Sequence, residues 1–397
     1  MPQFYVDYLI EIFEHLEKDK NTLYSCLLVN RLWCEISVRI LWTDIINYNT
    51  LFTCLPNESK KILHDNGISI LNSKPPMFNY ASFCKFLSID DINCNIRKLI
   101  KKQLPFPYHN LKNKTHVVSQ EILKLLMSQN FSLKELYITT SRLSTAFTSY
   151  PEAKDCLKDL SELYISNGLT DLISTQKNLK ELEITHVSNK ELKDLILLEK
   201  LPDTIDNLLI CGRNHYMSLS FIAKLTNLKE LRLAFFNNDC FEGFKKLQYI
   251  TFSQLQLLKF IEVSPRNDYL IKFLENNGRN LKEFYINDSN SLLHLAIIKF
   301  CPNIRNLYTG IKYNELETLK LFFNNCQLLE ILVYNLYYPR SELLPEELES
   351  FFISWKNRVP QKQLSLIIFS DKNPLFAHDE NRKIIEKYTK LGIIKFS

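Results

Sequence analysis

The segment LKELEI at Leu179–Ile184 is one member of a series. LKELYI at 133–138 and LSELYI at 160–165 precede it, and IDNLLI at 205–210 and LKELRL at 228–233 follow it. LKFIEV (258–263), LKEFYI (281–286), IRNLYT (304–309) and LEILVY (329–334) continue the pattern of an apolar residue, two others, an apolar residue, one other and a third, mostly apolar, residue. The first positions follow one another by 27, 19, 26, 23, 30, 23, 23 and 25 residues. One such hexapeptide fits any amphipathic segment. Nine in near register indicate a structural repeat of about 20–29 residues. Alternate side chains of a strand share a face, so the second and third apolar positions enter one core and a turn brings in the first. Between the hexapeptides, apolar spacing predicts helices over Lys190–Lys200, Asp268–Asn276 and Ser291–Phe300. A strand and a helix per repeat, each burying its apolar side against its neighbours, make an α/β solenoid with strands on the concave face and helices outside.

The series extends at both ends. Cys84, Leu87 and Ile89 read as an earlier, degenerate repeat, and Leu364, Leu366 and Ile368 as a tenth strand. Asn381 to Leu391 followed by IIKF reads as a helix and a strand closing the array, so the array spans 83–374 and its cap 375–397. In regular arrays of this kind an Asn or Cys follows the strand by three residues. Here Ser141, Gly168, Val187 and Arg213 stand in that place, so a regular amide ladder is not expected.

The first 45 residues differ. Asp7 to Leu16 reads as a helix with Leu9, Ile12, Phe13 and Leu16 on one face. Leu23 to Val29 and Trp33 to Trp42 read as two more short helices, with Val29 and Ile36 assigned to the internal core. Three short helices in about 40 residues are near the lower limit for an independent core, so such a unit needs something to dock on. Residues 46–82, broken by Pro75-Pro76, read as a connecting segment.

Composition narrows the function. The 397 residues are 46% hydrophobic and 23% charged, which is globular, and the net charge of +5 argues against a dedicated nucleic-acid binder. Seven glycines and the absence of GxGxxG or GxxxxGK[ST] argue against nucleotide chemistry. Ten scattered cysteines without CxxC read as reduced core thiols of an intracellular protein, and no metal site is expected. The N-terminal stretch has no basic leader, and no run of 18 apolar residues marks a membrane span. Neither HExxH nor G-x-S-x-G occurs, and nothing in the sequence calls for a cofactor or a catalytic group. The stretch RKLIKKQLPFPYHNLKNKTH (97–116) holds six Lys/Arg and no acid, and reads as a solvated helix face and loop.

FYVDYLIEIFEHL, YSCLLVNRLW and ISVRILW within residues 4–42 resemble an F-box, with Phe4-Tyr5 where that motif usually opens Leu-Pro. Together with the repeats, the chain resembles the F-box/leucine-rich-repeat family. The resemblance implies a non-catalytic substrate receptor of a Skp–cullin–F-box ubiquitin ligase. Its partners would be a Skp-type adaptor, through it a cullin, and a substrate protein held on the repeats. On that resemblance Leu9, Ile12, Phe13, Leu16, Leu27, Leu28, Trp33 and Trp42 are the adaptor-contacting set. The alternative is a repeat scaffold in which these helices only cap the solenoid.

The repeat register also names a surface. The residue between the last two apolar positions points to the concave side, giving Tyr137, Tyr164, Glu183, Leu209, Arg232, Glu262, Tyr285, Tyr308 and Val333. Tyr137, Tyr164, Arg232, Tyr285 and Tyr308 are the candidate substrate contacts, because tyrosine and arginine are rigid, amphipathic interface residues. Beside this column run a mostly acidic row (Glu135, Glu162, Glu181, Glu230, Glu283) and a mostly basic row (Lys134, Lys180, Lys229, Lys259, Lys282, Arg305), expected to neutralise one another laterally.

Overall fold

The computed structural model describes residues 3–68, 76–103, 108–129, 133–138, 151, 153–166, 172–173, 176–187, 201–212, 219–287, 290–310, 321–322, 324–335, 344–358, 362–369 and 379–396. The chain divides into two compact units, Met1–Leu179 and Lys180–Ser397.

The first unit opens with three helices, α1 (Gln3–Glu14), α2 (Lys20–Cys26) and α3 (Arg31–Leu41). Asp19 and Asn30 start the second and third: their side-chain oxygens accept from Thr22 N at 3.1 Å and Trp33 N at 2.9 Å. Such caps satisfy N–H groups that a helix end leaves unpaired. Leu9, Phe13, Leu23, Cys26, Ile36 and Leu41 form the buried interior, with Phe13 edge-on to Trp33 at 5.0 Å. The stretch read as a connector carries two more helices, α4 (Tyr48–Cys54) and α5 (Asn57–Asp65), which bury Leu51, Phe52, Leu55 and Leu63. Both are too short for a helical period to stand out in sequence, and tertiary burial rather than propensity holds them.

After a 3-10 turn at Tyr80–Phe83 come β1 (Phe86–Ser88), α6 (Ile89–Gln103), α7 (Tyr108–Gln129), β2 (Glu135–Ile138), α8 (Ala153–Cys156) and β3 (Glu162–Ser166). The three strands are parallel, with Leu87 opposite Leu136 and Leu136 opposite Leu163. The degenerate first repeat is therefore a strand in register. On α6, Ile92, Ile96 and Ile100 are buried while Arg97, Lys98, Lys101 and Lys102 are exposed. Over 97–102 that is the solvated helix face expected of the basic stretch; farther along it, Lys114 is half-buried and donates to Gly67 O at 2.8 Å, and residues 104–107 lie outside the described residues.

The second unit contains β4 (Glu181–Val187), β5 (Asn207–Gly212), β6 (Glu230–Phe235), α9 (Phe244–Leu247), β7 (Leu257–Glu262), α10 (Asn267–Asn277), β8 (Glu283–Tyr285), α11 (Ser291–Phe300), β9 (Asn306–Gly310), β10 (Ile331–Asn335), α12 (Pro345–Lys356), β11 (Leu364–Phe369), α13 (Asp379–Lys390) and β12 (Ile394–Phe396). Each strand pairs in parallel with the next in sequence. The helices expected at Asp268–Asn276 and Ser291–Phe300 are α10 and α11, the tenth strand is β11, and α13 and β12 follow as the closing helix and strand. The helix expected at Lys190–Lys200 lies outside the described residues. Phe241, Phe244, Phe260 and Phe273 meet at ring distances of 5.3–5.7 Å and fill the space between β7 and the helices α9 and α10.

One repeat has a different register from the sequence reading. Leu258 pairs with Leu231, and Lys259 with Arg232 and Tyr285. The hexapeptide is therefore LQLLKF (255–260), not LKFIEV (258–263). Leu255, Leu258 and Phe260 are its buried apolar positions. Two apolar hexapeptides overlap here by three residues, and only pairing decides between them. The 30-residue step disappears: Leu255 lies 27 residues after Leu228 and 26 before Leu281.

Two kinds of lateral tie join successive repeats among the described residues. The first is backbone: one carbonyl per repeat accepts two N–H groups from the next. Lys229 O takes Gln256 N and Leu257 N at 2.7 and 3.0 Å, and Gln256 O takes Lys282 N and Glu283 N at 2.8 and 3.0 Å. Thr43 O, just after α3, takes Lys85 N and Phe86 N at 2.8 and 3.0 Å, so the end of the three-helix segment occupies the place of a preceding repeat. The second is side-chain amide. Asn227, Asn280 and Asn303 donate to the carbonyls of Asp203, Ser253 and Arg279, each one repeat back. Buried Asn277 bridges deeper, donating to Ile250 O and Phe273 O and accepting from Phe252 N.

Candidate functional site

The first helices carry one candidate surface. Of the eight residues that the F-box resemblance assigns to an adaptor, Leu9, Phe13 and Trp42 are buried in the chain's own interior. Trp42 lies against Tyr80 at 4.4 Å. These three stabilise the segment and present no contact area. Leu16, Leu27 and Trp33 are half-buried. Ile12 is 56% exposed and Leu28 89%. Val29, read as internal, is 56% exposed, because α2 ends at Cys26 and the chain turns out before α3. Tyr8 and Tyr24 are also exposed, and sequence reasoning missed both. Their signal was present: Tyr8 lies one turn before Ile12 on α1. Five large apolar or aromatic side chains on α1, α2 and the turn after α2 are more than scattered exposure.

The second candidate surface is, in each unit taken by itself, the strand face that alternates with the buried positions. Leu136, Leu163, Leu182, Leu208, Leu231, Leu258, Phe284 and Leu307 are buried toward the helices. Tyr137, Tyr164, Glu183, Leu209, Arg232, Tyr285 and Tyr308 are half-buried on the other side. Lys259, not Glu262, stands between Arg232 and Tyr285. Glu262 instead ends β7 at φ 70°.

In the first unit Tyr137 and Tyr164 stack at 3.9 Å with ring planes 9° apart, and Phe86 adds a ring at 4.9 Å from Tyr137. In the second unit Tyr285 and Tyr308 stack at 3.8 Å and 17°. The cause is register: parallel pairing sets equivalent residues side by side at the interstrand distance. The acidic row engages this column along the strand rather than the basic row beside it. Tyr164 and Tyr285 hydroxyls donate to Glu162 and Glu283 at 3.3 and 2.7 Å, and Arg232 pairs with Glu230, each two residues apart on one face. Burial and the hydrogen bond to Glu283 push the Tyr285 phenol well above its ordinary range. Burial, together with the neighbouring Glu181 carboxylate, raises the Glu183 pKa against the opposing pull of Arg232.

The basic row pairs largely within itself, where acids interrupt it. Lys229 meets Asp206 at 2.9 Å, and Glu330 meets both Arg305 at 3.5 Å and Lys362 at 2.5 Å. These exposed pairs contribute little each.

Among the described residues no group of three or more His, Cys, Asp or Glu is placed to hold a metal ion, and no helix is long and apolar enough to cross a membrane. Burial raises the thiols of Cys156 and Cys326 to about 12. The sequence matches no family model and no curated protein.

Proposed function

We propose that this chain is a substrate receptor of a Skp–cullin–F-box ubiquitin ligase, its first helices docking the adaptor and its strand face holding the substrate. The observation that carries this reading is the exposure of Tyr8, Ile12, Tyr24, Leu28 and Val29 on one small helical segment. An apolar surface of that kind is paid for in solubility unless a partner covers it. The stacked tyrosines support the second half of the reading: they are rigid, amphipathic and already ordered, so a partner loses little entropy in meeting them. A receptor of this kind breaks no bond; it raises the effective concentration of substrate near a loaded enzyme.

The test is a pull-down with a purified Skp-type adaptor, using the full chain and an Ile12→Asp/Leu28→Asp variant. Both residues are exposed, so the variant keeps its circular dichroism spectrum. Binding by the wild type and its loss in the variant support the reading. A folded wild type that does not bind overturns it.

One observation favours the scaffold alternative. Thr43 O makes the inter-repeat hydrogen bonds of a preceding repeat, and Trp42 is buried beside it. In that reading the helices cap the array, and the exposed set serves some other contact.

A further inference from the structure

The strand face of the second unit is not electrically uniform, and its unmet charges specify what covers it. From β4 to β9 the central column reads Glu183, Leu209, Arg232, Lys259, Tyr285, Tyr308. The two cations differ. Arg232 is paired with Glu230 on its own strand. The Lys259 ammonium lies over the Tyr285 ring at 5.0 Å, and no carboxylate among the described residues forms an ion pair with it. Lys259 is half-buried already. A partner lying on this face removes more of its water, and an ammonium that loses water without gaining a counter-charge opposes binding.

At the other end stands Glu183, half-buried and close to a second carboxylate, Glu181. Arg232, two strands along, offsets this only in part, so what Glu183 still lacks is the opposite of what Lys259 lacks: a cationic donor. Two intervening strands separate it from Lys259, so three interstrand steps place the two residues about 14 Å apart, the length of about four residues of extended chain. Beyond Lys259 the stacked Tyr285 and Tyr308 offer apolar ring surface.

We propose that this face receives an extended segment of a partner protein with a fixed polarity: a carboxylate opposite Lys259, a cationic side chain about four residues away opposite Glu183, and an apolar side chain beyond the acid, on the Tyr285–Tyr308 pair. The proposal rests on the reading of the strand face as the substrate surface and names the class of segment it takes.

The experiment uses a displayed library of random dodecapeptides panned on the immobilised full chain. Selected peptides are then titrated against the wild type, Tyr308→Ala, Lys259→Glu and Glu183→Lys, each checked by circular dichroism. The proposal expects peptides carrying an acid and a base four apart, weakened about tenfold or more by Lys259→Glu or Glu183→Lys and by Tyr308→Ala. Exchanging the acid of such a peptide for lysine is expected to restore binding to Lys259→Glu. Peptides weakened by Tyr308→Ala but indifferent to both charge reversals leave the face as a docking surface and overturn its polarity. A library that yields no binder, or only binders indifferent to all three variants, removes the docking surface and the proposal with it.

Discussion

Asn277 offers the most direct test of what holds successive repeats together. Its side chain is 2% exposed and makes three hydrogen bonds: Oδ1 accepts from Phe252 N at 2.6 Å, and Nδ2 donates to Ile250 O at 2.8 Å and to Phe273 O at 3.0 Å. Two of these cross from the end of α10 to the preceding repeat. Asn277→Ala leaves the buried Phe252 N–H and the part-buried Ile250 C=O without their partner. Each such group costs about 1–3 kcal/mol, so the expected loss is about 2–5 kcal/mol. With a urea slope near 3 kcal/mol/M, the midpoint falls by about 0.7–1.7 M. The control is Asn280→Ala, whose exposed amide donates to Ser253 O at 2.7 Å and costs about 1 kcal/mol or less. Urea denaturation followed by circular dichroism gives the midpoints, and hydrogen exchange of the peptide containing Phe252 shows whether the opening is local. Asn277→Asp sharpens the test. A carboxylate still accepts from Phe252 N–H but faces the carbonyls of Ile250 and Phe273, which raises its folded pKa above the unfolded value. Its stability is then highest at low pH and is lost as pH rises through the folded pKa. A midpoint for Asn277→Ala no lower than that of Asn280→Ala refutes the argument that buried amides tie the repeats.

Three further outcomes follow from single residues. Glu262→Gly is expected to raise stability by about 0.5–1 kcal/mol, because Glu262 sits at φ 70° in a turn closed by Val263 N to Ile261 O, where a side chain costs more than glycine's added freedom; a lower melting temperature counts against that strain. Gly278→Ala is expected to destabilise by about 1–3 kcal/mol, since the added carbon meets Phe300 O and Cys301 Sγ at 2.8 Å and the first of these is backbone that cannot step aside; an unchanged thermal melt contradicts it. Glu183→Gln is expected to stabilise the fold at neutral pH and to make no difference in acid. The raised pKa of Glu183 means that stability is fully present below the unfolded carboxylate range and falls as pH rises through the folded value. Parallel stability curves from acid to neutral pH refute it.

The strands were legible because their signal is doubled. Each hexapeptide alternates, and the hexapeptides recur, so LKELYI at 133 and LKELRL at 228 support one another across 95 residues. Where the hexapeptide is ambiguous, as in LQLLKFIEV (255–263), composition alone favours the wrong frame, and pairing with Leu231 and Phe284 decides. The same slip put Lys259 in the flanking basic row instead of the central column, where the proposed polarity of the strand face turns on it. The short helices α4 and α5 escaped because seven to nine residues do not display a period. Burial within the first helices was half legible. Leu9, Ile12, Phe13 and Leu16 lie along one flank of the predicted helix, yet Phe13 turns to Trp33 and Ile12 to solvent. A stripe on a helix wheel does not say which edge faces the chain's own core.

Capping and docking are usually weighed as alternatives for a small helical segment, but under the proposed reading the residues here divide between the two. Leu9 and Phe13 fill the segment's own interior, Trp42 packs on Tyr80, and the carbonyl of Thr43 holds Phe86 of β1. Tyr8, Ile12, Tyr24, Leu28 and Val29 face outward. A segment this small cannot hold a rigid apolar surface by its own core. Fastened through Thr43 and Trp42, it borrows the order of the strands behind it. A docking surface so fixed loses less entropy on binding than one on free helices. Variants at Trp42 are therefore expected to weaken a partner at Ile12 and Leu28 without touching it, and with a cost in stability that substitutions at Ile12 and Leu28 do not share.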